Sequence, residues 1–268
     1  MSTVRFPTYF LSHGGGPWSY MDGSMRESFA VLEAQLKALP DELPERPKAV
    51  LVITGHWEAN QLRVSAAEQP GMVYDYFGFP DYTYDIVYPA PGSPELARRV
   101  KTLLDAAGQP TALDDEQGYD HGTFVPLSVM YPDADMPVVM LSMRSDYDPE
   151  THLAIGRALA PLRDEGVLII GSGFSYHNLR LMGPEGKAPS EAFDAWLQKS
   201  LIQCSTAERT ARLNQWEQAP AARIAHARED HLVPLFVVVG AAEDEAAECV
   251  YHEKDWRGGI TASSFRFG

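Results

Sequence analysis

The stretch A-V-L-V-I-T-G-H-W-E, residues 49–58, opens with six apolar or β-branched residues and breaks off in glycine and histidine. A short run of this kind, without polar alternation, reads as a strand buried on both faces. The same shape recurs at Thr8–Ser12, Val138–Ser142 and Val167–Ser172, each ending in small or polar residues. Helical patterns lie between these runs. Leu96, Val100, Leu103 and Leu104 fall at spacings of four, three and one, after a Ser93-Pro94 start signal and before Gly108. Met25–Leu39, Thr151–Leu162 and Ser190–Gln203 carry similar patterns. Strands alternating with helices predict an α/β fold with a central, mostly parallel or mixed sheet covered by helices. A chain of 268 residues suits one such domain, spanning 1–268.

Composition narrows the function. Hydrophobic residues make up 45% and charged residues 22%, enough apolar surface for a large core and too much for a disordered chain. With 22 basic against 37 acidic residues the net charge is −15, which disfavours nucleic acid and anionic membrane surfaces and favours a small or neutral substrate. The longest apolar stretch, Leu232 to Ala242, is interrupted by Pro234 and falls short of the roughly 18 residues that suggest a membrane span. Cys204 and Cys249 share no C-x-x-C spacing, and no secretory segment is evident, so a reducing cytoplasm is the expected compartment. The sequence is compatible with a monomer or a homodimer.

Residues Pro70–Pro94 break the pattern. They carry Tyr74, Tyr76, Phe77, Phe79, Tyr82, Tyr84 and Tyr88 among prolines and glycines, without helical period. A loop this long inside a compact domain is usually functional or disordered, and its aromatics argue against disorder. It reads either as a pocket wall for a flat ring or as a loop pinned by its own aromatics.

The histidines carry most of the chemical information. Of eight, four stand where a predicted strand ends or a loop enters a helix: His13, His56, His177 and His231. In open α/β sheets the ligand crevice lies beyond the carboxyl ends of the strands, so such residues converge from distant positions. Imidazoles at that place predict a shared metal or catalytic centre suited to Zn, Fe, Cu or Ni. Glu58, Glu229 and Asp230 are the carboxylates that could complete a two-histidine, one-carboxylate face. Their plainer roles are solvated charge and helix N-terminal charge. His121, ahead of a short apolar helix with Asp120 beside it to orient or acidify it, is a fifth candidate. His152, His226 and His252 are expected at the surface.

Two motifs are weak. Gly14-Gly15-Gly16 lacks the Gly-Lys-Ser/Thr ending and the G-x-G-x-x-G spacing of phosphate loops. In G-S-G-F-S, 171–175, Gly173 occupies the position where a nucleophile elbow needs serine.

Taken in order, S-H-G-G-G-P (12–17), G-H-W-E-A (55–59), Y-P-A-P-G-S-P-E-L-A (88–97), G-Y-D-H-G-T-F-V-P-L (118–127), Y-P-D-A-D-M-P-V-V-M-L-S (131–142), G-S-G-F-S-Y-H-N-L-R (171–180) and E-D-H-L-V-P-L (229–235) span nearly the whole chain. This set resembles the DOPA-dioxygenase-type class III extradiol ring-cleavage dioxygenases, relatives of the catalytic subunit of protocatechuate 4,5-dioxygenase. The resemblance implies that His13, His56 and His231 bind the metal, with His177 a fourth ligand or the acid/base and His121 an assisting catalytic histidine. It also implies a catechol or aminophenol substrate, O2, and Fe(II). The wider superfamily has a glutamate ligand where this sequence has His231, and an all-histidine site fits Zn(II) as readily. Loop aromatics at 74–88 would stack on the ring, and Arg180 would meet a substrate carboxylate or stay at the surface. The alternatives are a zinc hydrolase built on the same histidines, and a non-enzymatic binding protein. The latter predicts missing ligands, whereas every histidine of the set is present.

Overall fold

The computed structural model of the chain describes residues 4–268. Its strands are β1 (Thr8–Ser12), β2 (Ala49–Ala59), β3 (Leu62–Ser65), β4 (Thr111–Asp114), β5 (Val138–Arg144), β6 (Val167–Gly173), β7 (Ala247–Trp256) and β8 (Ile260–Phe267). The helices are α1 (Ser24–Glu27), α2 (Ala30–Glu42), α3 (Pro94–Ala106), α4 (His121–Met130), α5 (Pro149–Leu159), α6 (Lys187–Gln198), α7 (Thr206–Asn214), α8 (Ala222–Ala225) and α9 (Val233–Ala241). All eight strands join one sheet in the order β4-β3-β5-β2-β6-β1-β8-β7. Its centre, β5-β2-β6-β1, is parallel. Antiparallel pairing to β3 on one side and β8 on the other makes the sheet mixed. The α/β domain expected from the sequence is therefore present, and the four apolar runs are its parallel centre.

Successive residues on a strand face opposite sides, and β6 uses this to hold two helices. At Gly171 a side chain would strike the backbone of Pro234 in α9. Ser172, the next residue, turns its hydroxyl the other way and donates to the carbonyl of Gly122 in α4. That bond answers a local defect. Pro126 lies inside α4 and has no N–H, so the carbonyl four residues earlier, Gly122, lacks its helical donor. A buried carbonyl left so would cost about 1–3 kcal/mol, and Ser172 supplies the missing partner.

The apolar stretch at 232–242 becomes α9, buried on every side against β6, β1 and α5. No helix among the described residues is long and apolar enough to cross a membrane. Helices α5 and α9 meet through glycine. A Cβ on Gly240 would lie 2.1 Å from the Leu153 carbonyl oxygen, and one on Gly156 would lie 2.1 Å from that of Val237. Gly240→Ala must push the two backbones apart and is expected to lower the free energy of unfolding by about 1–3 kcal/mol, the usual range for overpacking. Urea titration read by far-ultraviolet circular dichroism checks this; an unchanged midpoint would refute the close packing.

Helix limits differ in detail from the sequence expectation. The 25–39 pattern divides at Ser28-Phe29 into α1 and α2, and Trp256 Nε1 donates to the Ser28 carbonyl there at 2.7 Å. The 151–162 pattern begins at Pro149 behind Asp148, whose side chain caps the Thr151 N–H, and continues as a 3-10 turn to Glu165. The 190–203 pattern begins at Lys187 and finishes in a π turn over Lys199–Gln203. Helix α3 starts as read, with the Ser93 hydroxyl accepting from the Leu96 N–H.

Candidate metal centre

The carboxyl ends of β1, β2 and β6 converge with the starts of α4 and α9. His13 follows β1, His56 sits near the end of β2 where its pairing with β5 shifts register between Ile53 and Glu58, and His177 lies four residues beyond β6. His121 opens α4, and His231 precedes α9 by two residues. Backbone hydrogen bonds tie these ends together: His13 N to the Gly173 carbonyl (3.1 Å), Phe174 N to that of His231 (3.1 Å), and His177 N to that of Ala225 (2.9 Å). These bonds fix the backbone at His13, His177 and His231.

All five rings line one cavity of about 460 Å³. His13 is central, with ring centres 4.9 Å from His56, 5.1 Å from His231 and 5.2 Å from His121. His56 lies 4.1 Å from His121 and 4.7 Å from His231, while His177 stacks on His231 at 3.4 Å. By donor-atom distance two groups emerge, His13-His56-His121 and His177-Asp230-His231, each with ligand atoms within 4.8 Å of one another.

Asp75, from the aromatic loop, organises part of this cluster. Its Oδ1 accepts from the His121 ring Nδ1 at 2.7 Å and from the His121 backbone N–H at 3.2 Å, and its Oδ2 lies 3.0 Å from His56 Nδ1. Burial opposes ionisation of Asp75, yet contacts from His121 and His56 hold its carboxyl well below the usual range. One carboxylate thereby orients two imidazoles and leaves their Nε2 atoms free. Sequence reading missed Asp75. The available signal was an acid between Tyr74 and Tyr76 in a loop already suspected of function.

The buried ring nitrogens show what the cluster suits. Both nitrogens of His13, Nε2 of His56 and Nδ1 of His231 are buried without a hydrogen-bond partner. Asp230 Oδ2 is 3.3 Å from His231 Nδ1, but out of line for a hydrogen bond. Unpaired buried polar atoms are costly, and several converging on one cavity fit a cation. Burial, and then the neighbouring imidazoles, push His13 and His231 well below the usual histidine range. Burial likewise lowers His177 to about 4. These rings are neutral at pH 7, the form that offers a lone pair to a metal or a proton.

Other expectations need correction. His152 and His226 are buried, not surface residues. His152 Nδ1 donates to the Asp148 carbonyl while its Nε2 accepts from the Arg144 N–H, which fastens the start of α5 to the end of β5. His226 contacts the Ser175 carbonyl through Nε2 and packs against Phe193 and Trp216. His252 is exposed, as expected, and lies 3.0 Å from Asp194. Asp120 does not orient His121: it caps α4 at the Thr123 N–H and accepts from the Thr54 hydroxyl, while burial raises its carboxyl to about 6. Glu58 and Glu229 pair with Arg228 and Arg223. Only Asp230 of the three candidate carboxylates reaches the cavity.

The aromatic loop is both pinned by its own aromatics and part of the cavity wall, and Tyr76 does both. Tyr74 donates to the Ile86 carbonyl, Tyr76 to Thr83 and Tyr88 to Tyr131, so the loop is pinned by its own tyrosines. Tyr76, Phe77 and Phe79 line the cavity; Tyr74, Tyr82, Tyr84 and Tyr88 do not. Phe79 also explains the glycine run. Gly16 has φ +56°, and a Cβ there would meet the Phe79 ring at 2.3 Å, so glycine serves close packing rather than phosphate binding.

Residues 7–268 match the family described as the catalytic LigB subunit of aromatic ring-opening dioxygenase. A protein of Beta vulgaris named 4,5-DOPA dioxygenase extradiol is 41% identical over 267 residues, covering 97% of this chain and 96% of its own. The protein of that name from Escherichia coli K12 is 34% identical, covering 100% of this chain and 97% of its own. A crystal structure of an uncharacterized E. coli K12 protein superposes with a TM-score of 0.79 at 31% identity, over 98% of this chain and 100% of that one. The family match makes the chain an oxidoreductase of the aromatic ring-opening type. The chain belongs to the LigB family of extradiol dioxygenases.

Proposed function

We propose that this enzyme opens a catechol ring at an Fe(II) centre held by His13, His56 and His231, with His177 as acid/base. The observation that carries the ligand assignment is the set of buried, unpartnered nitrogens on those three rings. Donor distance would group His121 with His13 and His56 instead. His121 also has a free Nε2, but it is not among the buried nitrogens left without a partner, and that criterion favours His231. When bound, a redox-active metal with open positions supplies the coupling of diol to dioxygen that the side chains cannot provide.

The residues supply the rest. Neutral His177 accepts a proton from a substrate hydroxyl and returns it as the ring opens. His121, its Nδ1–H donated to Asp75, has Nε2 left to accept a hydrogen bond from a substrate hydroxyl. Tyr76, Phe77 and Phe79 present flat apolar surface to the ring. DOPA, the substrate class in the names of the relatives, fits this reading. Cys204 and Cys249 are both free, in keeping with a cytoplasmic location.

Reconstitution with Fe(II) or Zn(II), followed by oxygen uptake on catechols, tests the metal: uptake with iron alone supports the proposal. Uptake with neither metal, together with tight zinc binding, favours a zinc hydrolase, which the all-histidine donor set also accommodates. His177→Ala is expected to lower kcat by about 10²–10⁴-fold, the range of general acid/base groups, while retaining metal. Loss of metal from that variant, measured by plasma emission, would make His177 a ligand instead.

A further inference from the structure

The cavity lining divides by chemistry. One part is the five histidines with Asp75 and Asp230; the remainder is aromatic, aliphatic or glycine, with one exception, Arg257. This arginine sits in the turn between β7 and β8, with φ +51°, a backbone region that non-glycine residues adopt sparingly. The turn is fixed by its neighbour. Trp256 is held by the Ser28 carbonyl and packs against Phe29 and Phe174, at ring distances of 5.1 and 5.5 Å. The Arg257 guanidinium lies 4.8 Å from the Trp256 ring centre and reaches Met25 Sδ at 3.7 Å. Among the described residues no carboxylate lies within ion-pair distance of it.

Most arginines near the site are spoken for. Arg228 is paired with Glu58, and Arg223 with Glu217 and Glu229. Arg180, the candidate from the sequence, is exposed like Arg257, but it lines a neighbouring hollow that shares His177, Leu179 and Asp230 with the cavity and is otherwise separate. Arg257 alone offers a guanidinium fork to the cavity without an acid already in it. The chain carries a net charge of −15, which repels anions at range. Screening limits that repulsion to about 8 Å at physiological ionic strength, so inside the cavity the nearest cation decides.

We infer that Arg257 is the specificity-determining residue of the site, taking an anionic group, a carboxylate, on the side chain of the aromatic substrate. The inference rests on the catechol reading above and adds to it the charge of the group remote from the diol. A carboxylate matches the planar fork in two-point contact, while the diol occupies the histidines and the ring lies along the aromatic wall. The sequence expectation of a small or neutral substrate is thereby refined: small, with a carboxylate on the side chain.

The test uses 3-(3,4-dihydroxyphenyl)propanoate and its primary amide, which share shape and diol and differ in charge. Binding to the metal-loaded protein is measured by calorimetry under argon, where no turnover occurs, and oxygen uptake is then measured in air. The wild-type protein should bind the acid at least about tenfold more tightly, as hydrogen bonds to charged groups allow. Arg257→Gln should remove that preference by weakening the acid about tenfold and the amide less than about threefold. Arg257→Lys should retain part of it, and Arg180→Gln all of it. Equal binding of acid and amide by the wild type, a preference that survives Arg257→Gln, or one lost in Arg180→Gln would overturn the inference. Oxygen uptake separates the two readings. Uptake without charge preference refutes Arg257 alone; charge preference without uptake on either compound refutes ring cleavage and leaves Arg257 standing.

Discussion

His13→Ala is expected to remove metal binding and oxygen uptake together while leaving the metal-free fold intact. Residues that merely support a ligand cost about 10–100-fold in metal affinity when replaced, so the central ligand must cost at least the upper end of that range. Uptake should fall to the level of the metal-free protein. The stability of the apo-protein distinguishes this role from a structural one. Neither ring nitrogen of His13 has a hydrogen-bond partner, so truncation breaks no hydrogen bond. It relieves an unpaired buried polar group, worth about 1–3 kcal/mol, and leaves a cavity of opposing and comparable cost. The metal-free variant should therefore unfold within about 1 kcal/mol of wild type in urea. A large loss of stability, with metal affinity retained, would make His13 a core residue.

Asp75→Asn is the second severe change, although Asp75 need not touch the metal. The carboxylate faces Nδ1 of both His121 and His56. An amide presents one acceptor and one donor, so one of the two imidazoles must move its proton to Nε2, the atom that should face the cavity with a free lone pair. Metal affinity is expected to fall by about 10–100-fold, with turnover at saturating metal also reduced. Competition with a chromophoric chelator measures the first and an oxygen electrode the second. If both remain at wild-type values, the bridge seen between the histidines and Asp75 has no functional weight.

The sequence disclosed the site's histidines better than what supports them. His13, His56, His177 and His231 were legible because each follows or precedes an apolar element, and the ends of parallel strands are where such residues meet. Asp75 was not, since its partners lie 19 residues before it and 46 after it, and nothing in a loop's local pattern reports where the loop folds back. The same limit applies to Arg257, which reaches the cavity from a hairpin turn at the far end of the chain. Histidine burial was also hidden: His152 stands at a helix start and His226 between Arg223 and Arg228, yet both rings are buried and meet backbone carbonyls in space. In the fold, the four apolar runs announced the parallel centre. The edge strand β4 and its neighbour β3 have four residues each, too short for a periodic signal, and β7 carries the consecutive charges Glu253-Lys254-Asp255, which resemble a solvated segment until β8 pairs with it.

The most direct measurement is the stoichiometry of oxygen consumed to catechol lost by Fe(II)-loaded protein, taken with the absorption spectrum of the product. One O2 per catechol and a yellow ring-opened product are expected, because cleavage beside the diol leaves a conjugated aldehyde and acid. Oxygen uptake that leaves the ring intact, a colourless product of cleavage between the hydroxyls, or no uptake with iron bound would contradict extradiol cleavage at this histidine centre.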